Sequence, residues 1–300
     1  MNIEPMLFCL LLGCLVTLLT LPLLLLSGWK GAISAGLQRR NGVAGCPSDD
    51  LPAVSKWGAV PLAASFMAVS LLACLMFPDS KADSRHGWTI LLTGLAMFGI
   101  GVWDDVNPLG TRRRLTLQAL VAALACFRGI QWETLPLPLN SIGLPAHEWT
   151  GLATLGWLVL LIVLFQRINS MNHLAGLAGL AAMAVIARDA VGNSFSGLCA
   201  VGLAGALVAF LVYNLPPSRV RLGTSGAGLL GYLVGVLSVS NSHPDGDTSV
   251  MAILLIAVAA ASLATWRGAI KLLPALPIRT RPVSRPSPSR IASVRPRVRR

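Results

Sequence analysis

The sequence predicts an all-α, polytopic membrane protein, on three observations. Of its 300 residues, 54% are hydrophobic and only 12% charged, against about 25% charged in an ordinary soluble domain. Long uncharged runs recur along the chain, close to the roughly 20 apolar residues that a bilayer core demands of each helix. The basic residues fall into segments that alternate with those runs, so charge patterning orients the chain.

Taken in order, the runs are Pro5–Ser27, Trp57–Phe77, Trp88–Trp103, Leu115–Phe127, Gly151–Phe165, Leu174–Ala187, Phe195–Tyr213, Gly226–Val239 and Val250–Ala264. They predict about nine transmembrane helices, the fourth and sixth short enough to be tilted or re-entrant. The first run has no basic leader, and its apolar stretch exceeds the 7–15 residues of a cleavable signal, so it reads as a membrane helix. With the N-terminus outside and the C-terminus cytoplasmic, 20 of the 24 Lys and Arg lie inside. Only Lys81, Arg85, Arg128 and Arg188 fall outside. The acids sort the other way, leaving Asp49, Asp50, Asp104 and Asp105 on the inner face.

Between the runs, Gly28–Lys56 reads as the longest cytoplasmic loop. Gly129–Thr150, with Pro136 and Pro138, reads as an external loop of short extended pieces. The transmembrane domain covers residues 1–273. Residues 274–300 form a Pro/Ser/Arg-rich tail without an acid, which cannot build a core and is expected to be disordered. Its arginines suit anionic inner-leaflet lipids or simply fix topology. Cys9, Cys14, Cys74, Cys126 and Cys199 lie within spans and Cys46 in a loop, at spacings that suggest helix packing rather than disulfides or zinc.

Chemistry concentrates where three segments meet the cytoplasm. Asp104 and Asp105 end the third run and are followed by Arg112, Arg113 and Arg114. Adjacent carboxylates at a membrane edge are costly and also face the negative end of their helix dipole. A metal ion or the nearby arginines would offset both penalties. The second segment is Asn169–Ala181, with Asn172 and His173; the third is Asn214–Gly231, rich in glycine. Glycine-rich turns before a helix expose N–H groups and favour phosphate. The plainer roles are also open: helix caps for Asn169 and Asn214, an interfacial hydrogen-bonder for His173, an orientation anchor for the arginines, and, for the acid pair, a solvated loop start with one carboxylate capping a turn and the other facing Arg112–Arg114.

These three segments resemble the polyprenyl-phosphate N-acetylhexosamine-1-phosphate transferases, which include the phospho-N-acetylmuramoyl-pentapeptide translocase. The family's Asp-Asp pair is matched by Asp104-Asp105, with Gln118 downstream. Its Asn-Ala-x-Asn-x-x-Asp-Gly-x-Asp-Gly-Leu-Ala pattern aligns with Asn169–Ala181, and its Asn-x-x-Pro-Ala-x-x-Phe-x-Gly-Asp-x-Gly-Ser pattern with the segment beginning at Asn214. A faint echo of its N-terminal loop lies in Arg39-Arg40-Asn41 and Pro52–Gly58. The resemblance implies a bacterial inner-membrane enzyme with its site on the cytoplasmic face. It would move a sugar-1-phosphate from a UDP-sugar to undecaprenyl phosphate, using Mg²⁺, in the synthesis of envelope lipid intermediates. It implies Asp104 and Asp105 as catalytic and metal-binding residues, and Asn169, Asn172, His173, Arg112, Arg113, Asn214 and Gly223 around the substrates. No nucleic-acid partner is implied; a second copy or a partner enzyme of envelope synthesis is.

The departures are specific. The family's aspartates are replaced by Ala175, Ala178 and Thr224, its serine by Ala227, and its late histidine motif has no counterpart near Leu273–Arg285. The expected alternative is therefore a catalytically silent relative that binds lipid phosphate or a partner enzyme. A small transporter is a third reading, with only the helix count behind it.

Overall fold

The computed structural model describes residues 3–40, 58–76, 81–107, 109–132, 146–169, 173–190, 194–215 and 220–241, with helical residues between 252 and 260. All of them lie in the first of two units, Met1–Ala264. The tail beyond residue 273, Cys46, Asn172 and the Pro52–Trp57 echo lie outside the described residues.

Among the described residues eight helices follow one another: α1 Ile3–Arg40, α2 Ala59–Met76, α3 Lys81–Val106, α4 Thr111–Phe127, α5 Ala146–Ile168, α6 Leu174–Asp189, α7 Phe195–Asn214 and α8 Gly223–Ser240. Among the described residues, α1, α3, α5, α7 and α8 are long and apolar enough to cross a membrane, and Ala59–Leu75 of α2 is a shorter apolar helix. The chain is a multi-pass, all-α membrane protein. Helix boundaries differ from the sequence expectation, α3 for one beginning at Lys81 rather than Trp88. Helix α1 runs on to Arg40, so the first part of the predicted 28–56 loop is helical; no proline interrupts that stretch. Residues 146–150 of the predicted external loop form the first turn of α5. As expected, α4 and α6 are short, at 17 and 16 residues.

Helix α8 is the centre of the bundle. It packs chiefly on α5 and α3, with α2, α6 and α7 against its other sides, and 83% of its span is buried, against 22% for α1. Its composition allows this, since a helix apolar all round has no face that needs water. The rim shows the reverse pattern. Leu7, Phe8, Leu11, Leu15 and Leu19 of α1 and Leu120, Leu124 and Phe127 of α4 are exposed, as suits side chains facing lipid.

Lipid tails give no hydrophobic drive to helix association, so close packing and polar pins carry it. A Cβ added at Gly13 of α1 would lie 2.0 Å from the Gly202 carbonyl oxygen of α7, and one at Gly205 would lie 2.3 Å from that of Leu10. Only glycine permits this backbone approach. Thr17 and Ser65 share a 2.7 Å hydrogen bond between α1 and α2. The Tyr232 hydroxyl donates to Thr93 Oγ1 at 2.6 Å, tying α8 to α3. Trp157 Nε1 donates to Ser238 Oγ at 3.1 Å, tying α5 to α8. Such bonds contribute about 0.6 kcal/mol each on average in membrane interiors.

Replacing Gly205 by Val should force α1 off α7 at a cost of about 1–3 kcal/mol. A lowered midpoint of thermal unfolding in detergent, with Val208→Ala on the exposed face nearly neutral, is the expected outcome.

Candidate functional site

Helix α3 does not stop at the membrane edge. It continues through Asp104 and Asp105 to Val106 before turning into α4. Successive helical residues point about 100° apart, so the two carboxylates diverge. Asp104 turns inward and is buried. Its Oδ1 accepts from the Leu109 N–H at 2.9 Å, and its Oδ2 accepts from Arg114 Nη1 at 2.9 Å. This ion pair, 6% and 19% exposed on the two side chains, closes the α3–α4 turn.

Asp105 reaches the other way, to the start of α8. Its Oδ1 accepts from Thr224 N–H at 3.3 Å and from the Thr224 hydroxyl; its Oδ2 accepts from Ser225 N–H at 3.1 Å. The residue at the cap position of α8, Leu222, offers no side-chain hydrogen bond. Asp105 is therefore a cap supplied from another helix. It satisfies two orphan N–H groups and places its charge at the positive end of the dipole. Gly101, one turn earlier, makes the reach short: a Cβ there would lie 2.4 Å from Ser225 Cα.

The loop before α8 is held from several sides. Gly223 has φ +74°, a left-handed conformation that favours glycine, and its carbonyl accepts from Asn169 Nδ2 at 2.8 Å. Asn214 Nδ2 donates to the Val220 carbonyl at 2.8 Å, while its buried Oδ1 has no hydrogen-bond partner. The Gly58 N–H donates to the Arg221 carbonyl at 3.1 Å. Asn169 and Asn214 thus anchor loop carbonyls through their amide N–H groups.

The structure brings Asp105, Asn169 and Gly223 together at the start of α8, while Asp104 pairs with Arg114 and Asn214 holds the Val220 carbonyl. His173 takes the cap position of α6, half-buried, without a side-chain cap bond. Arg112 and Arg113 are exposed, with no ion pair among the described residues. Ala175 and Ala178 are buried in the packing of α6.

One contact was not foreseen. Gln166 of α5 donates to the Oε1 of buried Gln118 at 3.0 Å, and Gln118 Nε2 has no partner. Both amides sit over Gly228, where a Cβ would meet their nitrogens at 3.0 and 3.1 Å. The available signal was a lone glutamine ending the apolar run of α5.

Mg²⁺ takes near-octahedral oxygen ligands, commonly one or two carboxylates with waters and phosphates. Here all four oxygens of the acid pair accept protein hydrogen bonds, and Arg114 already neutralises Asp104. Among the described residues, no group of three or more His, Cys, Asp or Glu is placed to hold a metal. Among the described residues, this donor set, with both carboxylates engaged by protein donors and Thr224 and two alanines in place of further acids, does not fit the ion that the resemblance implies.

The model of glycosyl transferase family 4 matches residues 88–242, from within α3 to just beyond α8. The chain belongs to this family. Similar proteins include the decaprenyl-phosphate N-acetylglucosaminephosphotransferases of Mycobacterium leprae (strain TN), 27% identical over 167 residues, and Mycobacterium tuberculosis (strain ATCC 25618 / H37Rv), 25% identical over 167 residues. The match covers 52% of this chain but only 42% and 41% of those two relatives.

Asp104→Asn should lower stability by about 1–3 kcal/mol, because it leaves a largely buried guanidinium without its counter-charge. Arg114→Gln should cost a similar amount, and the double variant less than the sum. Thermal unfolding of the three proteins followed by tryptophan fluorescence measures the coupling.

Proposed function

We propose that this chain acts in envelope lipid-intermediate synthesis as a transferase of sugar-1-phosphate from a UDP-sugar to undecaprenyl phosphate. The observation that carries this reading is the meeting of all three family segments at the start of α8. Asp105, Asn169 and the Gly223 turn share one mouth there, and Arg112 and Arg113 stand exposed at the adjacent start of α4. In this reaction a lipid phosphate oxygen attacks the β-phosphorus of the UDP-sugar, and UMP leaves. Catalysis of that class rests on positioning and charge neutralisation. In this chain Arg112 and Arg113 would meet the phosphates, and Asn169 would hold the Gly223 turn in shape.

The proposed topology has nine spans, the N-terminus outside, and the mouth on the cytoplasmic face of a bacterial inner membrane. The basic tail would then lie against anionic inner-leaflet lipids.

A second reading is favoured by a specific observation. Both carboxylates are committed to protein partners, and Ala175, Ala178 and Thr224 stand where the family carries aspartate. A silent member would keep lipid-phosphate or partner binding and lose turnover.

Purified protein with undecaprenyl phosphate and radiolabelled UDP-sugars separates the two. UMP release supports the transferase. Retained lipid-phosphate binding with no UMP from any UDP-sugar leaves the silent reading, and appearance of activity in the Ala175→Asp/Ala178→Asp/Thr224→Asp variant would show why.

Topology has its own check. Green fluorescent protein fused after Arg300 should fluoresce and alkaline phosphatase at the same place should be inactive; the opposite pair of results rejects the C-in arrangement.

A further inference from the structure

We infer that the acid pair of this chain is a metal-free clamp, in which the Arg114 guanidinium and the neutral donors of Thr224 and Ser225 take the carboxylate oxygens that a divalent cation would otherwise occupy. Asp104 is neutralised by a guanidinium held 2.9 Å away. Asp105 accepts hydrogen bonds from the Thr224 hydroxyl and from the backbone N–H groups of Thr224 and Ser225. The clamp joins three helices: α3 carries both acids, α4 carries Arg114, and α8 receives Asp105 at its first turn.

Residue 224 decides the matter. Threonine offers a donor to Asp105, so the contact closes without help. An aspartate at the same position would set one carboxylate against another. Two such groups cannot both stay charged at that distance without a cation or a shared proton between them. The shortness of the α3–α8 approach leaves little freedom to escape, because Gly101 packs directly on Ser225. Ala175 and Ala178 add no acid to the cluster. Asp104 is thus neutralised by Arg114, Asp105 has its oxygens taken by neutral donors, and the folded state is expected to gain nothing from a divalent ion at this place.

The inference does not depend on whether the chain turns over a UDP-sugar, and its test reads stability and metal binding rather than UMP. Full-length protein in detergent is unfolded thermally in EDTA and in Mg²⁺. Separately, Mn²⁺ alone is titrated and followed by electron paramagnetic resonance. The wild type should unfold at the same temperature in both buffers and leave the free Mn²⁺ signal unchanged. Thr224→Ser should match it, and Thr224→Val should unfold several degrees lower in both. Thr224→Asp should unfold lower in EDTA and recover in Mg²⁺, since a ligand that binds only the folded state raises its stability. A wild-type midpoint that rises with Mg²⁺ would overturn the clamp. So would Mn²⁺ uptake by the wild type that Asp105→Asn abolishes, or Thr224→Val unfolding like the wild type. If Thr224→Asp does not fold, the wild-type Mn²⁺ titration and Thr224→Val still decide.

Discussion

The start of α8 must be held in place, and the fold around the site depends on how that is done. This helix is buried on nearly every side, so its position sets those of α3 and α5. Its first N–H groups have no intrahelical partner, and Leu222 cannot provide one. Asp105 does so from α3. A carboxylate at the end of its own helix is disfavoured by that helix's dipole, yet favoured by the dipole of the helix it caps. The two effects oppose each other in one residue, and the contact locks α3 to α8.

The rest of the mouth follows from that contact. Gly101 is glycine because α3 must lie on Ser225. Gly223 is glycine because the chain must enter α8 through a left-handed turn, and Asn169 secures the carbonyl that this turn exposes. Asp104, facing away from α8, is free to pair with Arg114 and fix where α4 begins. Residues that look like a ligand set in the alignment of motifs therefore also form a connected framework. That double use explains how a family frame can persist while individual carboxylates are replaced.

The buried amide pair of Gln118 and Gln166 belongs to the same framework at a deeper level. It sits on Gly228, one turn and a half into α8, and links α4 to α5 across that helix. Polar groups at this depth are expensive unless satisfied, and Gln118 Oε1 finds its partner in Gln166, which constrains which way α4 faces, as the exposed leucines on its other side also require.

The sequence by itself determined that this is a helical, multi-pass membrane protein, because length and apolarity of a span are properties of local composition. It also determined the family, because Asp104-Asp105, Asn169–Ala181 and the Asn214 segment keep their order and spacing. Helix ends were less legible: α1 continues to Arg40, since nothing in Gly28–Arg40 breaks a helix once the preceding turns are formed. What only the tertiary structure decided is the use of the acid pair. A helix turns adjacent carboxylates about 100° apart, which the sequence already implied, but it left open a metal site or a turn with one carboxylate facing Arg112–Arg114. Whether each then meets a metal, an arginine or a helix start depends on which helices stand beside it, and that is fixed by packing across more than a hundred residues of chain.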